Sequence, residues 1–321
     1  MTRATTTSTR TGRDVLVHQA LVYGSDEEMA GSAVPFLREG VRAGDAVVAI
    51  TSPRTAGALR DGLGAAADPV EFLDSGAWFA APVQTLAAYH EHASRDWWPR
   101  GRLRLLAEPV WTGRSALEIR EWKRHEAVLN VVFAGTPSVL CCAYDRREVP
   151  ADVVEAAFRT HPEHLSGGVV EASPAYVDPA DFYAECNAAP LAPAPETGVA
   201  EHRFTGGGLA ALRDFVTAEA ARRGLPQDRI LPLVMAVNEV ATNIVRHGGG
   251  SGVLRVWAGG EGLVCDLTDP DRALVDRFLG HRPPRPLQQG AGMWAVRRLC
   301  HIVEIRSGAH GTVIRLHTRL P

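Results

Sequence analysis

"NEVATNIVRHGGG", residues 238–250, decides how the second half of the chain is read. The run is helical in pattern, yet it sets an acid, Glu239, and an amide, Asn243, four residues apart and then ends in three glycines. Side chains at that spacing share one helix face about one turn apart, and glycine lets backbone come close to whatever they hold. Ile230, Val234, Val237, Ala241 and Ile244 recur at helical spacing and mark the stripe to be buried; Glu239 and Asn243 lie off it. Such a pair alone is usually a solvated helix face, so its neighbours have to carry the argument.

On the N-terminal side a helix over "LAALRDFVTAEAARRG", 209–224, ends at Gly224, and the next begins near Asp228. On the C-terminal side come two strand pairs, "GVLRVWA" with "LVCDLTD" and "HIVEIRS" with "TVIRLHTRL", joined by the turns "GGEG" and "GAHG". Between the pairs lie the loop "GHRPPRPLQQGAG" and a helix, "MWAVRRLC". The order α-α-β-β-α-β-β predicts a helical layer on one face of a mixed sheet.

The first half reads differently. Strand-like runs "VLVHQALVY", "DAVVAIT", "VEFLD", "RLRLLAEPV" and "PSVLCCAYD" alternate with helices "DEEMAGSAVPFLREGVRAG", "PVQTLAAYHEHASRDWW" and "SALEIREWKRHEAVLNVVFAG". Strands separated by helices of that length predict a mainly parallel, doubly wound sheet. "NAAPLAPAPETG", 187–198, packs Pro and Ala without periodicity and reads as a linker. The expected organisation is a disordered polar tail over 1–13, a first domain over 14–183, a Pro/Ala-rich linker over 184–200 and a second domain over 201–321.

Composition narrows the function classes. At 321 residues, 45% apolar and 22% charged, the chain is long enough for two cores, and a net charge of -3 makes no case for nucleic acid or an anionic membrane surface. Five cysteines, two of them adjacent and none in a CxxC pair, predict reduced thiols rather than a disulfide framework or a zinc site. The opening has no apolar signal core, and no run of about 18 apolar residues follows, so a cytoplasmic location is expected.

Four pieces of the second half make chemical sense together. Asn243 offers a hard oxygen to Mg²⁺, and Glu239 is placed to orient or deprotonate an attacking hydroxyl in phosphoryl transfer from ATP. Asp269, ending a strand, can accept from the exocyclic amine of adenine. "GAGMW", 290–294, opens a helix whose free N–H groups favour phosphate, and Gly311-Thr312 enters the last strand. Each alone has a plain alternative: a C-cap, a loop, a turn.

Their order and spacing resemble the GHKL (Bergerat-fold) ATPase superfamily over residues 200–321. The resemblance implies an α/β sandwich, with Glu239 and Asn243 as the N box, Asp269 as the adenine-reading acid, Gly290 and Gly292 as the G2 box, and Gly311-Thr312 closing the pocket. The short form looks like the anti-sigma-factor serine kinases of stress-response regulation. It implies ATP and Mg²⁺ as cofactors, with Glu239 catalytic. The implied partners are a sigma factor, an anti-anti-sigma protein of the STAS fold, and a second copy of the chain. Asp271 stands where the family has glycine, which should weaken nucleotide binding. Two alternatives follow: a non-catalytic binder that sequesters its partner, or a sensor histidine kinase fragment. No helical pair with an exposed phosphoacceptor histidine precedes residue 200, which argues against the fragment.

The first half has neither GxxxxGK[ST] nor GxGxxG after a strand. Its distinctive pieces are His18 in "HQALVY", Glu126 and Asn130 in "WKRHEAVLN", "CCAYD" at 141–145 and "THP" at 160–162. Together they resemble the MEDS sensory domain over 14–183, a RecA-like α/β module without a working phosphate loop, which implies a small organic ligand. Cys141 and Cys142 read as core packing, His18, His125 and His161 as hydrogen-bonded structural histidines, and Trp97, Trp98 and Trp122 as cover for the core. No residue here is assigned a catalytic role, and the sequence shows no convergent metal-ligand spacing.

Overall fold

A computed structural model describes residues 15–260, 262–274, 276, 278–282 and 291–319. The chain forms two compact units, one around each of two sheets.

The first unit follows the predicted alternation. In chain order the elements of residues 15–172 are β1 (Val17–Tyr23), α1 (Asp26–Ala43), β2 (Ala46–Thr51), α2 (Pro53–Leu63), β3 (Glu71–Asp74), α3 (Ser75–Trp78), α4 (Pro82–His92), β4 (Leu103–Ala107), α5 (Ala116–Val132), β5 (Ser138–Asp145), α6 (Ala151–Thr160), β6 (Glu163–Ser166) and β7 (Val169–Ala172), with 81–88 and 120–128 counted to the second unit. The strands form a seven-stranded sheet in the order β3-β2-β4-β5-β1-β6-β7. Every pairing is parallel except β6 with β7. β2 and β4 are buried along their whole length, as strands covered on both faces must be. Helix starts follow local chemistry: Ser25 accepts from the Glu28 N–H, and Ser115 forms a reciprocal capping box with Glu118. α1 stops where Gly44 turns left-handed, with φ +72°. The β6–β7 edge hairpin carries too little apolar alternation to be read in advance.

The second unit adds α7 (Pro179–Cys186), β8 (Ala200–Thr205), α8 (Leu209–Arg222), α9 (Gln227–His247), β9 (Ser251–Gly259), β10 (Gly262–Asp269), α10 (Ala291–Leu299), β11 (Ile302–Gly308) and β12 (Gly311–Arg319). Its sheet runs β11-β12-β10-β9-β8 and is antiparallel throughout, where a mixed sheet was expected. The extra edge strand β8, "AEHRFT", exposes alternate residues and escaped notice for want of apolar content. The apolar stripe of α9 packs with Leu212 and Val216 of α8, Met293 and Val296 of α10, and Leu254, Leu267 and Ile314 of the sheet. Residues 187–198 form no helix or strand, yet they are held: Arg306 donates to the Ala189 carbonyl, Arg315 to Ala192 and Arg223 to Gly198.

Candidate functional site

Burial of the stripe of α9 turns Glu239 and Asn243 to a half-buried flank. The Asn243 amide nitrogen donates to Glu239 Oε1 at 3.3 Å, which points the Asn243 carbonyl oxygen away from Glu239 as a free hard acceptor.

The glycines after α9 are there because of Asp269. A Cβ at Gly248 would fall on the Asp269 carboxylate and 2.6 Å from the Ile244 carbonyl oxygen. The Gly249 N–H reaches the two Asp269 oxygens at 3.4 and 3.3 Å, and the Asp271 N–H donates to Oδ1 at 3.1 Å. Asp269, 5% exposed, is thereby fixed by backbone donors while a carboxylate's remaining lone pairs stay available. It pairs across the ladder with Thr312. The Thr312 hydroxyl donates to the Arg272 carbonyl at 2.8 Å and meets Ser307 Oγ at 2.8 Å; Ser307 in turn accepts from the Leu274 N–H. This chain of bonds holds 272–274 against β11 and β12. Gly311 lies behind it at φ +94°, where a Cβ would sit 2.8 Å from Pro270 Cα. Only glycine allows that approach.

Gly292, in the first turn of α10, closes the ring. A Cβ there would land inside the Glu239 carboxylate. Glu239, Asn243, Asp269, Gly292 and Thr312 thus face one cavity of about 490 Å³, walled by Ile244, Leu274, Leu279, Met293 and Ile314. The size and the mixture of apolar walls with a few placed polar groups are those of a small-molecule site. Gly248, the first of the three glycines noted after the helix, lines it too, as do His247 and Arg272, which were not singled out from sequence. Gly290 lies outside the described residues. Asp271 is not among the lining residues: its carboxylate lies beside Gly249, where a Cβ would come within 2.6 Å of Oδ2.

Of the residues singled out from the first half of the sequence, only Ala143 and Asp145 of "CCAYD" line the main cavity there. Trp97 and Trp122 are fully buried, and Cys141 belongs to the core. A cavity of about 410 Å³ opens instead at the C-terminal ends of β1, β2, β4 and β5, the edge where open parallel sheets take ligands. At its centre Glu108 accepts from the Tyr23 hydroxyl at 3.0 Å, the Ser52 N–H at 2.7 Å and the Thr55 hydroxyl at 2.9 Å. Burial and then the Glu108 charge raise the Tyr23 pKa, keeping it a neutral donor. Met29, Leu59 and Trp111 are the apolar wall; Asp26, Arg54, Asp145 and Arg147 form a charge-paired rim. Nothing in strand-end residues of mixed type announces a cleft before the sheet order is known. His18 and Cys142, far apart in the chain, are brought together elsewhere in the same unit, Cys142 Sγ lying 3.5 Å from His18 Nε2.

Among the described residues all five cysteines are free thiols, and no helix is long and apolar enough to cross a membrane.

Comparison with known proteins agrees with both halves. Residues 17–162 match the family model described as MEDS, the methanogen/methylotroph, DcmR sensory domain. Residues 205–318 match that of the histidine kinase-like ATPase domain. No curated protein matches. Among solved structures, the RsbU and RsbW domains of Rv1364c from Mycobacterium tuberculosis align at 23% identity and a TM-score of 0.30, over 39% of this chain and 32% of that one. The chain therefore spans about a third of that relative's length. Across its two matched segments the chain carries a MEDS sensory domain followed by a histidine kinase-like ATPase domain, the first doubly wound and RecA-like, the second a Bergerat-fold α/β sandwich.

Proposed function

We propose that the second domain binds Mg-ATP between α9, β10 and α10 and acts as an anti-sigma factor and protein-serine kinase. Its substrate is an anti-anti-sigma protein of the STAS fold, and a small organic ligand in the first domain's cavity controls it. The observation that carries this reading is the single cavity into which Glu239, Asn243, Asp269, Gly292 and Thr312 converge from four separate segments.

The residues fit the nucleotide chemically. The Asn243 carbonyl oxygen is a hard donor suited to Mg²⁺, and the glycines at 248 and 292 leave space that any side chain would fill. Asp269 is buried and rigidly held, as an acceptor for an exocyclic amine should be, and the apolar walls suit a purine. Bound Mg-ATP supplies the phosphoryl group and neutralises the charge that develops on it. Glu239 takes up the proton of the incoming serine hydroxyl, and Asn243 holds Glu239 in place while it does so. Leu274, Leu279 and Met293 keep water from that position. In this reading the domain works as a homodimer in the cytoplasm, and phosphorylation of the STAS protein decides whether the sigma factor stays bound.

Calorimetry of Mg-ATP binding to the full chain and to Asn243→Ala tests the site. Saturable one-site binding that the substitution weakens at least tenfold is expected, followed by phosphate transfer to a STAS protein that Glu239→Ala abolishes. Absence of binding in the intact chain refutes the nucleotide site. Binding without transfer refutes the kinase and leaves a nucleotide-responsive partner binder.

A further inference from the structure

The cavity of the first unit is lined by more acid than base. Four carboxylates line it, those of Asp26, Glu108, Asp145 and Glu148, against two guanidiniums, of Arg54 and Arg147. Both guanidiniums are engaged at the rim: Arg54 pairs with Asp26, and Arg147 with Asp26 and Asp145. Glu148 is exposed to solvent. Glu108 is half-buried at the centre, and among the described residues no Lys, Arg or His pairs with it.

What Glu108 does receive are neutral donors. Its own backbone N–H is tied to the Ile50 carbonyl oxygen at 2.8 Å, so the side chain leaves the end of β4 from a fixed position. Oε1 accepts from the Tyr23 and Thr55 hydroxyls, at 3.0 and 2.9 Å, and both its lone pairs are taken. Oε2 accepts from the Ser52 N–H at 2.7 Å and keeps one lone pair. These three bonds orient the carboxylate without cancelling its charge. The negative field is felt close by: burial first, then Glu108, and after it Asp145 and Glu148, raise the Tyr23 pKa. A half-buried carboxylate among further negative charge is held at a cost that a bound cation offsets. Met29, Leu59, Val110, Trp111 and Val149 give the same cavity apolar walls.

We propose that this cavity selects organic cations, molecules with an ammonium group on an apolar body, and that Glu108 is the counter-ion. The inference rests on the reading above that a small organic ligand occupies the cavity. An ammonium N–H donates to the remaining lone pair of Glu108 Oε2, a charge-assisted bond stronger than a neutral one. The apolar body lies against Met29, Leu59 and Val149, and the Trp111 ring attracts a cation that comes within about 6 Å of its face. A hard divalent metal ion fits less well, since it needs about six oxygen ligands and these apolar walls supply none. An organic anion would meet like charge at Glu108 and Glu148. The volume, about 410 Å³, is that of a small-molecule site.

Calorimetry on the full chain compares three probes of similar shape: phenethylammonium, neutral phenethyl alcohol and anionic hydrocinnamate. One-site binding of the ammonium is expected, with the alcohol weaker by about tenfold or more and no binding of the anion. Glu108→Gln keeps the size of the side chain and should weaken the ammonium about 10- to 100-fold, with little change for the alcohol. Ala58→Phe, at an exposed position of α2 that lines the cavity, should fill the space and abolish binding of both, which locates the probes. Equal affinity for ammonium and alcohol, both lost in Ala58→Phe, overturns the cation preference and leaves the organic-ligand reading standing. Ammonium binding that survives Glu108→Gln or Ala58→Phe unchanged overturns the assignment to Glu108. No binding of any probe up to its solubility limit overturns the ligand reading together with this inference. The three probes on the parent chain and on Ala58→Phe decide the matter should the Glu108 variant fail to fold.

Discussion

Replacing Gly292 with Ala separates the site from the fold. The residue lies in the first turn of α10, outside the left-handed region, so a methyl group brings no backbone strain there. In a helix, Ala is favoured over Gly by up to about 1 kcal/mol, so stability should hold or rise slightly. The new Cβ, however, would overlap the Glu239 carboxylate and stand 2.9 Å from Glu239 Cγ, against about 3.5–4.0 Å for ordinary carbon contact. Glu239 Cγ must therefore retreat by roughly 0.6–1 Å and its carboxylate by more, breaking the 3.3 Å bond from Asn243. A misplacement of that size at a general base costs on the order of 100-fold in rate. The paired assays are thermal denaturation and phosphate transfer to a STAS substrate, with Mg-ATP calorimetry alongside. Unchanged or raised Tm with transfer reduced about 100-fold is expected. Transfer within twofold of the parent, at full stability, would refute the claim that Glu239 acts from this position.

Two further outcomes follow from the second domain's charges. Asp266 and Arg315, cross-strand partners on β10 and β12, form a buried two-pronged pair at 2.6 and 2.7 Å. Asp266→Ala should cost about 3–5 kcal/mol in denaturant unfolding, and Asp266→Ala with Arg315→Met should recover most of it, since the loss comes from stranding a charge. Glu304, on β11, is desolvated, which raises its pKa, but the His317 hydrogen bond at 3.0 Å and neighbouring positive charges outweigh this and hold it at about 2. Its stabilisation, on the order of 3 kcal/mol, is fully present above the unfolded value near 4.5 and lost as pH falls from there towards 2. Unfolding curves across that window should be flatter for Glu304→Gln, and parallel curves would refute the assignment.

Much of this protein was legible before folding. The parallel strands of the first domain announce themselves as apolar runs because both faces are covered, and the 3.6-residue stripe of α9 exposes Glu239 and Asn243 by exclusion. Asp269, Gly292 and Thr312 follow from order and spacing around that helix. What stayed hidden was what sequence distance conceals. β8 and the β6–β7 hairpin are held by ladder partners rather than by their own pattern. Asp271 reads as an obstacle, yet its side chain turns to Gly249, a choice made by the backbone after β10. The Glu108 cleft exists only because the sheet order places the ends of β1, β2, β4 and β5 side by side. The same holds for His18 and Cys142: local periodicity buries each of them singly. Only the alignment of β1 with β5, which sets Ala20 against Cys142, brings the Cys142 sulfur to 3.5 Å from His18 Nε2. Periodicity is a short-range property of the chain and reports which face is buried; the identity of what lies opposite that face is decided by topology.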